Sequence, residues 1–581
     1  MKVIDFKNAS CKHCYKCVRS CSVKAIKVRD AQATIMDDHC VLCGTCLEVC
    51  PQNAKTFVSD LDRVRAFIAE EKKTVVSLAP AYLGILDYEK PGQVVDALLK
   101  LGFSEVRETA EGAAYVTEAY TKLLEAGQMK NIISTCCPSV NELVEKYYPE
   151  LVEDMAPVVS PMVAHGKLIK AMYGPDVKVV FIGPCIAKKQ EAEGDDRTTG
   201  FVDAVLNFEE VESWLQERDI SIRKCEEKQP ANPDPKVNRL YPVTSGVISS
   251  VLAKKKVDSY KKIFVDGIED CREVFEDMKK GLIEGCFIEA NMCEGGCVKG
   301  PAVNKLHISK YKATMVIEEQ VEKQDPAYPQ LAGNIDISKH FRSERIQDEM
   351  PTEEQITRIL KATGKYNKTQ ELNCGACGYP TCRDKAIAVF QGKAEQEMCL
   401  PHVYEKARSM SNVVLEATPE IVLIVDSAFL IIEFNKRAED VFGINKSEAV
   451  NKMIFEIMDA SDFEQVLDDH LSIKRKKIHL SGLGLVLLEN IIYIDEMDAM
   501  LAIFQDITDE EVEMERQLQM RMDTVDIAQQ VIDKQMTVAQ EIAGLLGETT
   551  AETKVILTQL RDSMMKEADQ TDNRRRKIEW K

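Results

Sequence analysis

Short unbroken apolar runs alternate with amphipathic stretches through the middle of the chain. Thr74-Val-Val-Ser-Leu78 and Val177-Lys-Val-Val-Phe-Ile182 read as buried strands. Gly92–Leu101 and Phe208–Arg218 carry apolar residues at helical spacing. From Thr74 to about His340 the pattern predicts an α/β domain. Residues 346–370 are polar and predict a helix and linker, with Thr352 capping a helix opened by Pro351-Thr-Glu-Glu354. Glu416–Asp426 reads as a helix end and then a strand, Ile431–Asn435 as a second strand, and Lys436–Phe442 as a short helix stopped at Gly443. Further strands are expected near Lys477–Leu480, Gly484–Tyr493 and Ala499–Gln505, with Asp506-Ile-Thr508 closing that unit. From Glu510 a long helix begins. Leu518, Met522, Val525, Gln529, Ile532, Met536, Ala539, Ala543 and Leu546 alternate by four and three, a heptad seam. Ile527, Val531, Val538, Ile542 and Leu545 form a second stripe, which favours a homodimer or partner-binding bundle over a helix packed on its own sheet. Gly547-Glu-Thr-Thr-Ala551 breaks the helix, Val555–Leu560 continues it, and Asn573-Arg-Arg-Arg-Lys577 is a basic tail.

At 581 residues the chain has room for about four domains. Its charged share of 29% is that of an ordinary globular protein, and the net charge of −20 argues against a nucleic-acid partner. No run of 18 apolar residues offers a membrane span, and Met1–Ser10 lacks the apolar core of a signal peptide, so a cytoplasmic setting is expected. Cysteine is the unusual component. Of 20, eight precede residue 51, four lie between 374 and 399, and none follows Cys399. In a long chain such clusters point to reduced, metal-binding thiols rather than disulfides.

Cys11, Cys14, Cys17 and Cys21 form C-x2-C-x2-C-x3-C, and Cys40, Cys43, Cys46 and Cys50 repeat it, with Pro51 following. This is the spacing of bacterial two-cluster ferredoxins, in which the fourth Cys of each run serves the other cluster. One 4Fe–4S cluster is therefore assigned to Cys11, Cys14, Cys17 and Cys50, and the second to Cys40, Cys43, Cys46 and Cys21. A zinc knuckle is the competing reading, and two matching runs weigh against it. Ser22 stands where a Pro is usual. The excess of Lys and Arg in residues 1–30 reads first as compensation for anionic clusters, and second as a docking face for a redox partner protein.

The remaining clustered thiols fall in three pieces: Cys136-Cys137-Pro138, Pro184-Cys185, and Cys293-Glu-Gly-Gly-Cys297. Setting Cys136 aside, four thiols on three segments are enough for another cubane. Gly295-Gly296 would let backbone approach a bulky cofactor. Ser134-Thr-Cys-Cys-Pro-Ser139, Pro184-Cys-Ile-Ala-Lys-Lys-Gln-Glu191 and Glu289-Ala-Asn-Met-Cys-Glu-Gly-Gly-Cys297 resemble, in order, the three H-cluster signatures of FeFe hydrogenases. Ala79-Pro80-Ala81, Val202–Leu206 and Thr244-Ser-Gly-Val247 also fit that family, and the resemblance covers residues 1 to about 340. It implies that Cys137, Cys185, Cys293 and Cys297 hold a 4Fe–4S subcluster. Cys297 would bridge to a di-iron azadithiolate centre carrying CO and cyanide. Lys188 would bind a cyanide, Glu191 would orient Lys188 or cap the turn, and Cys136 would relay the proton when H2 is split. Ala79, Pro80, Gly183, Pro184 and Asn291 would line the cofactor.

The departures point away from high flux. Gly183 and Asn291 stand where active relatives carry Met, which predicts a roomier, more polar pocket. Val140 replaces a usual Trp, and Lys299-Gly-Pro-Ala302 a Gly-rich tail. Glu118 is the one acid in Ala113–Lys122, and Tyr120 sits where a proton-channel Glu is expected. Cys225, Cys271 and Cys286 fit no ligand spacing.

Cys374-Gly-Ala-Cys377-Gly-Tyr-Pro-Thr-Cys382 with Cys399 resembles a small four-cysteine 4Fe–4S domain, its cluster covered by an amphipathic helix opened by Cys382. The cysteine-free part that follows resembles a PAS domain, a half-barrel sheet with small helices. It has no Cys for a flavin adduct, and His470 and His479 sit in no setting for haem. No His follows His479, so a kinase phosphoacceptor is absent, and output must run through a signalling partner of kinase or phosphatase class or through conformation.

The expected architecture is multidomain α/β. It comprises a two-cluster ferredoxin-like domain (1–60), an α/β H-cluster domain (72–345), a linker helix (346–368), a four-Cys Fe–S domain (369–406), an α+β PAS domain (408–508), a coiled-coil helix (509–565) and a tail (566–581). The function this implies is H2 sensing by a low-turnover FeFe hydrogenase carrying three 4Fe–4S clusters plus the H-cluster. Two alternatives stay open: a catalytic hydrogenase with a ferredoxin-type partner, and an iron–sulfur assembly factor without the di-iron centre.

Overall fold

The computed structural model describes residues 2–6, 10–30, 32–303, 309–322, 328–329, 331, 333–545 and 553–563. The chain divides into two compact units, Met1–Val403 and Tyr404–Lys581.

The first unit opens with two small antiparallel pairs, Ile4–Phe6 with Lys55–Phe57 and Ile26–Arg29 with Gln32–Ile35. The eight N-terminal cysteines lie in the loops and short helices between these pairs. Behind them stand two parallel sheets. One has the order Glu105–Glu108, Thr74–Leu78, Lys178–Ile182, Ala204–Leu206; the other Lys261–Asp266, Cys286–Asn291, Ile132–Ile133. Thr74–Leu78 is buried along its whole length, as an unbroken apolar run requires of a parallel strand covered on both faces. Helices Ala110–Ala126 and Pro161–Tyr173 pack against each other, and Phe208–Glu217 buries Phe208, Val211 and Trp214. Its start is fixed by a capping box, with Asn207 and Glu210 each accepting the other's backbone N–H.

Four strands of these two sheets lead into a segment singled out by the sequence. Leu78 runs into Ala79-Pro80, Ile182 into Gly183-Pro184-Cys185, and Asn291 into Met292-Cys293. Ile133 leads to Cys136-Cys137 in the same way. In parallel sheets, ligands sit at the carboxyl ends of the strands, and this topology delivers the thiols there.

Thr352 caps helix Glu353–Ala362 as expected, in a capping box with Gln355. The polar segment is more than a linker, because Ile356 and Leu360 pack on Ala386 of helix Cys382–Phe390.

The second unit is built on a five-stranded antiparallel sheet ordered Ile431–Phe434, Ile421–Asp426, Ala499–Asp506, Leu485–Ile494, Ile473–Leu480. Helices Lys436–Phe442 and Ser461–Asp469 contribute Ala438, Phe463 and Val466 to a core with Phe434 and Phe504. The helix Thr508–Leu545 follows, with Leu518, Met522, Ile527, Val531, Val538 and Ile542 exposed along it. Leu546 of the seam, the break at 547–551 and the basic tail lie outside the described residues, and Val555–Leu560 is helical as expected, within residues 553–563. No helix among the described residues is long and apolar enough to cross a membrane.

Candidate active site and iron–sulfur sites

Cys137, Cys185, Cys293 and Cys297, remote in sequence, line one cavity of about 380 Å³ together with Pro184, Asn291, Met292 and Gly296. Gly296 has φ +81°, and a Cβ there would lie 2.4 Å from the Pro242 carbonyl. That close approach lets the Cys297 N–H donate to Pro242 O at 2.7 Å, which fixes the second thiol of the C-x3-C turn. Burial pushes all four thiols up, Cys185 to about 11. A bound iron would reverse that balance by taking the proton's place, so four half-buried thiols around an apolar hollow fit an iron–sulfur group. Among the described residues no three Cys, His, Asp or Glu side chains converge on a point the size of a single metal ion.

Lys188 and Glu191 are held together. Lys188 Nζ donates to Glu191 Oε2 at 2.7 Å and to the Cys136 carbonyl at 3.2 Å, while Ser160 Oγ donates to the same carboxylate oxygen at 2.9 Å. Burial opposes the lysine's charge, and Glu191 together with the nearby thiols outweighs it, holding the ammonium above its ordinary value. Glu191 Oε1 is buried without a hydrogen-bond partner among the described residues. A buried cation beside four thiols is the environment an anionic group requires.

Cys136 is not among the residues lining that cavity. Its sulfur lies 3.2 Å from the Tyr120 hydroxyl, which accepts the Thr135 N–H at 2.8 Å and lies 3.3 Å from Thr135 Oγ1. Burial pushes the Cys136 thiol up to about 12. Glu118 is elsewhere, paired with Lys254 and with Lys122. Glu289, buried on strand Cys286–Asn291, accepts the Ile248 N–H at 2.9 Å and Asn291 Nδ2–H at 3.3 Å. Burial pushes its carboxyl up to about 7.

The roomier pocket expected from Gly183 is not found. A Cβ on Gly183 would lie 2.7 Å from the Phe181 ring and 2.9 Å from Ala79 Cβ, so neighbouring side chains fill the space that a larger residue would take. Asn291 does line the cavity, with its amide engaged by Glu289. Ala79 and Pro80 are buried in the turn beside Gly183, and none of the three is among the cavity's lining residues described here. Cys225, Cys271 and Cys286 are buried.

The same cavity is lined by Leu42 and Cys43, so the N-terminal eight-cysteine region abuts it directly. There, backbone N–H groups point at sulfur: Ala25 to Cys21 at 3.3 Å, Leu42 to Cys40 at 3.3 Å and Ala54 to Cys50 at 3.4 Å. The Cys21 and Cys50 pairs repeat one i to i+4 pattern in the two halves. Cys14 is exposed and Cys17 buried.

Cys374, Cys377, Cys382 and Cys399 line a separate hollow of about 480 Å³ with Ile359, Leu360, Leu372, Tyr379 and Ala386. Lys365 Nζ lies 3.2 Å from Cys399 Sγ. In the second unit His479 is exposed, and exposed His470 rests on Tyr493 with centroids 4.3 Å apart.

The sequence missed Tyr120 as a neighbour of Cys136, Ser160 and Glu289. Ser160 reaches the site only through tertiary packing, and no spacing rule marks it; Glu289 heads the third motif, but its burial has no signature there.

Residues 72–301 match the family described as iron only hydrogenase large subunit, C-terminal domain. Residues 10–54 match a 4Fe-4S dicluster domain, 370–401 an Fe-S cluster family, and 410–480 the PAS fold. The chain is 27% identical to Iron hydrogenase 1 of Clostridium pasteurianum, over 50% of this chain and 69% of that protein. It is 23% identical to the NADP-reducing hydrogenase subunit HndD of Solidesulfovibrio fructosivorans, over 46% of this chain and 56% of that one. It is 29% identical to the periplasmic Fe hydrogenase large subunit of Nitratidesulfovibrio vulgaris, over 36% and 61%. The chain thus spans little more than half the length of the latter two. Among solved structures, an FeFe hydrogenase from Chlamydomonas reinhardtii aligns at 18% identity and TM-score 0.37, over 50% of this chain and all of that one.

Proposed function

We propose that this chain, whose central domain is that of an iron-only hydrogenase large subunit joined to iron–sulfur and PAS domains, senses H2 through a slow hydrogenase centre. Cys137, Cys185, Cys293 and Cys297 would hold the 4Fe–4S part of the H-cluster, with Cys297 bridging to the di-iron part. When bound, that group supplies heterolytic cleavage of H2, and three further 4Fe–4S centres supply one-electron storage. These three are assigned to Cys11, Cys14, Cys17 and Cys50; to Cys40, Cys43, Cys46 and Cys21; and to Cys374, Cys377, Cys382 and Cys399.

The chain's own residues have separable tasks in this reading. Lys188, braced by Glu191 and through it by Ser160, presents a permanent cation to an anionic ligand. Cys136 holds and passes the proton, and Tyr120 keeps its sulfur in place. No carboxylate touches the Cys136 sulfur among the described contacts, and the turnover expected is accordingly low. The PAS unit and the helix after it would dimerise and pass the redox state to a signalling partner of kinase or phosphatase class.

The observation that carries the reading is the meeting of four thiols from three motifs at one cavity, beside the buried Lys188. Assay of H2 oxidation by the iron-loaded, matured protein tests it. Slow but measurable uptake, abolished by Cys136→Ala, is expected. A second reading is turnover with a ferredoxin-type redox partner; the relatives' names, all of hydrogenases, favour turnover but name no ferredoxin. Fast H2 uptake that reduces oxidised ferredoxin, or fast H2 evolution from reduced ferredoxin, would select it.

A further inference from the structure

The third four-cysteine module docks on the N-terminal one through a lysine with no part in the function described above. Gly378 has φ +97°, and a Cβ there would meet Val18 Cγ1 at 2.8 Å and Arg19 N at 3.1 Å. The backbone after Cys377 therefore lies against the helix Lys16–Ser20, which carries Cys17 and leads to Cys21. Around this contact Val18, Tyr379, Ala388 and Met398 are buried together, with Cys21, Cys46 and Cys377 at its edge. Arg19 Nη1 donates to the Ala376 carbonyl at 3.0 Å.

Lys24 closes the joint. Its Nζ donates to Gly378 O at 2.8 Å, Val18 O at 3.2 Å and Arg19 O at 3.3 Å. Its backbone is in the left-handed region, φ 51°, which a non-glycine residue adopts only when its surroundings hold it there. The ammonium is 5.9 Å from the centre of the Tyr379 ring, and the Gly378 carbonyl it grips is one residue from Cys377. Burial opposes its charge, and Cys21, Cys377 and Glu269 favour it. Its three hydrogen-bond acceptors are neutral carbonyls. Carbonyls hold the ammonium in place without neutralising it, so its field acts on the neighbouring thiol sets. In a partly buried setting such a field is only weakly screened.

We propose that Lys24 sets the reduction potential of the centre held by Cys374, Cys377, Cys382 and Cys399, and ties it to the centre held by Cys40, Cys43, Cys46 and Cys21. This rests on the reading of both sets as 4Fe–4S ligands. Reduction adds one negative charge to such a centre, and a fixed ammonium at its edge favours that state. Lys24 acts as a positioning residue: it joins the modules and raises the potential of the centre beyond the joint. The Cys21 set thereby borders both the hydrogenase cavity, through Cys43, and the third module, through Lys24.

The test is a redox titration of the full-length, cluster-loaded protein followed by electron paramagnetic resonance, with iron and sulfide content measured in parallel. Lys24→Met is expected to move the third centre's potential to more negative values at unchanged iron content, and Lys24→Arg to restore it. An unchanged potential in Lys24→Met, or a shift equally large in Lys24→Arg, overturns the assignment. A parent protein whose iron content and spectrum lack the third centre overturns the reading of the cysteine set, and the proposal with it.

Discussion

The Tyr120 hydroxyl lies 3.2 Å from the Cys136 sulfur and takes the backbone N–H of Thr135, the residue just before it in the chain. One phenol thus fixes both the backbone and the side chain of the first hydrogenase motif. Tyr120→Phe strands a buried N–H, which costs about 1–3 kcal/mol. Chemical denaturation should show that loss, and H2 uptake should fall further because the thiol loses its fixed neighbour. Wild-type stability in Tyr120→Phe would show that the phenol oxygen holds nothing.

Lys188 and Glu191 form a buried pair at 2.7 Å, with side chains about 10% and 2% exposed. Lys188→Met leaves the carboxylate buried and unpaired, at a cost of about 3–5 kcal/mol. Lys188→Met combined with Glu191→Gln should recover most of that stability in denaturation experiments without recovering H2 uptake. Recovery of both would remove Lys188 from the chemistry.

Gly378→Ala introduces a Cβ 2.8 Å from Val18 in a left-handed backbone. The expected result is loosening of the third module from the N-terminal one by about 1–3 kcal/mol. Hydrogen exchange of residues 16–20 and 376–390 should accelerate together, with the hydrogenase strands unaffected.

Glu489 points into the core of the five-stranded sheet beside Asp462, and burial, then the hydrogen bond to Asp462, push its carboxyl up from 4.5 to about 8. The folded state therefore binds more protons than the unfolded state between those values. Stability of this unit falls as pH rises through that window, by up to about 1.4 kcal/mol per pH unit. Glu489→Gln should flatten the slope and stabilise the unit at pH 8. Hydrogen exchange of strand Leu485–Ile494 in the full chain at pH 5 and pH 8 measures it.

Much of this architecture was legible in the sequence because its signals are local. Thr352 and its Gln partner cap a helix within four residues, Gly443 ends Lys436–Phe442, and apolar runs such as Thr74–Leu78 permit little but a buried strand. The cysteine sets were legible for the same reason, as each motif is a short string. What escaped depends on contacts between distant segments. Gly183 predicted open space, but Phe181 and Ala79 occupy it, and neither effect has a spacing signature. Ser160 reaches Glu191 from another helix. Lys24 looked like one more residue of a basic stretch, and only its three carbonyl partners, one of them 354 positions away, distinguish it. The helix Glu353–Ala362 read as a spacer because its few apolar residues gave no hint that Ala386 would receive them.

Infrared spectroscopy of the purified protein after maturation tests the central claim most directly. The account predicts the stretching bands of bound CO and cyanide, with the cyanide bands shifted in Lys188→Met. Full iron–sulfur loading without any CO or cyanide band would contradict it, and would leave an iron–sulfur protein with a hydrogenase fold but no hydrogen chemistry.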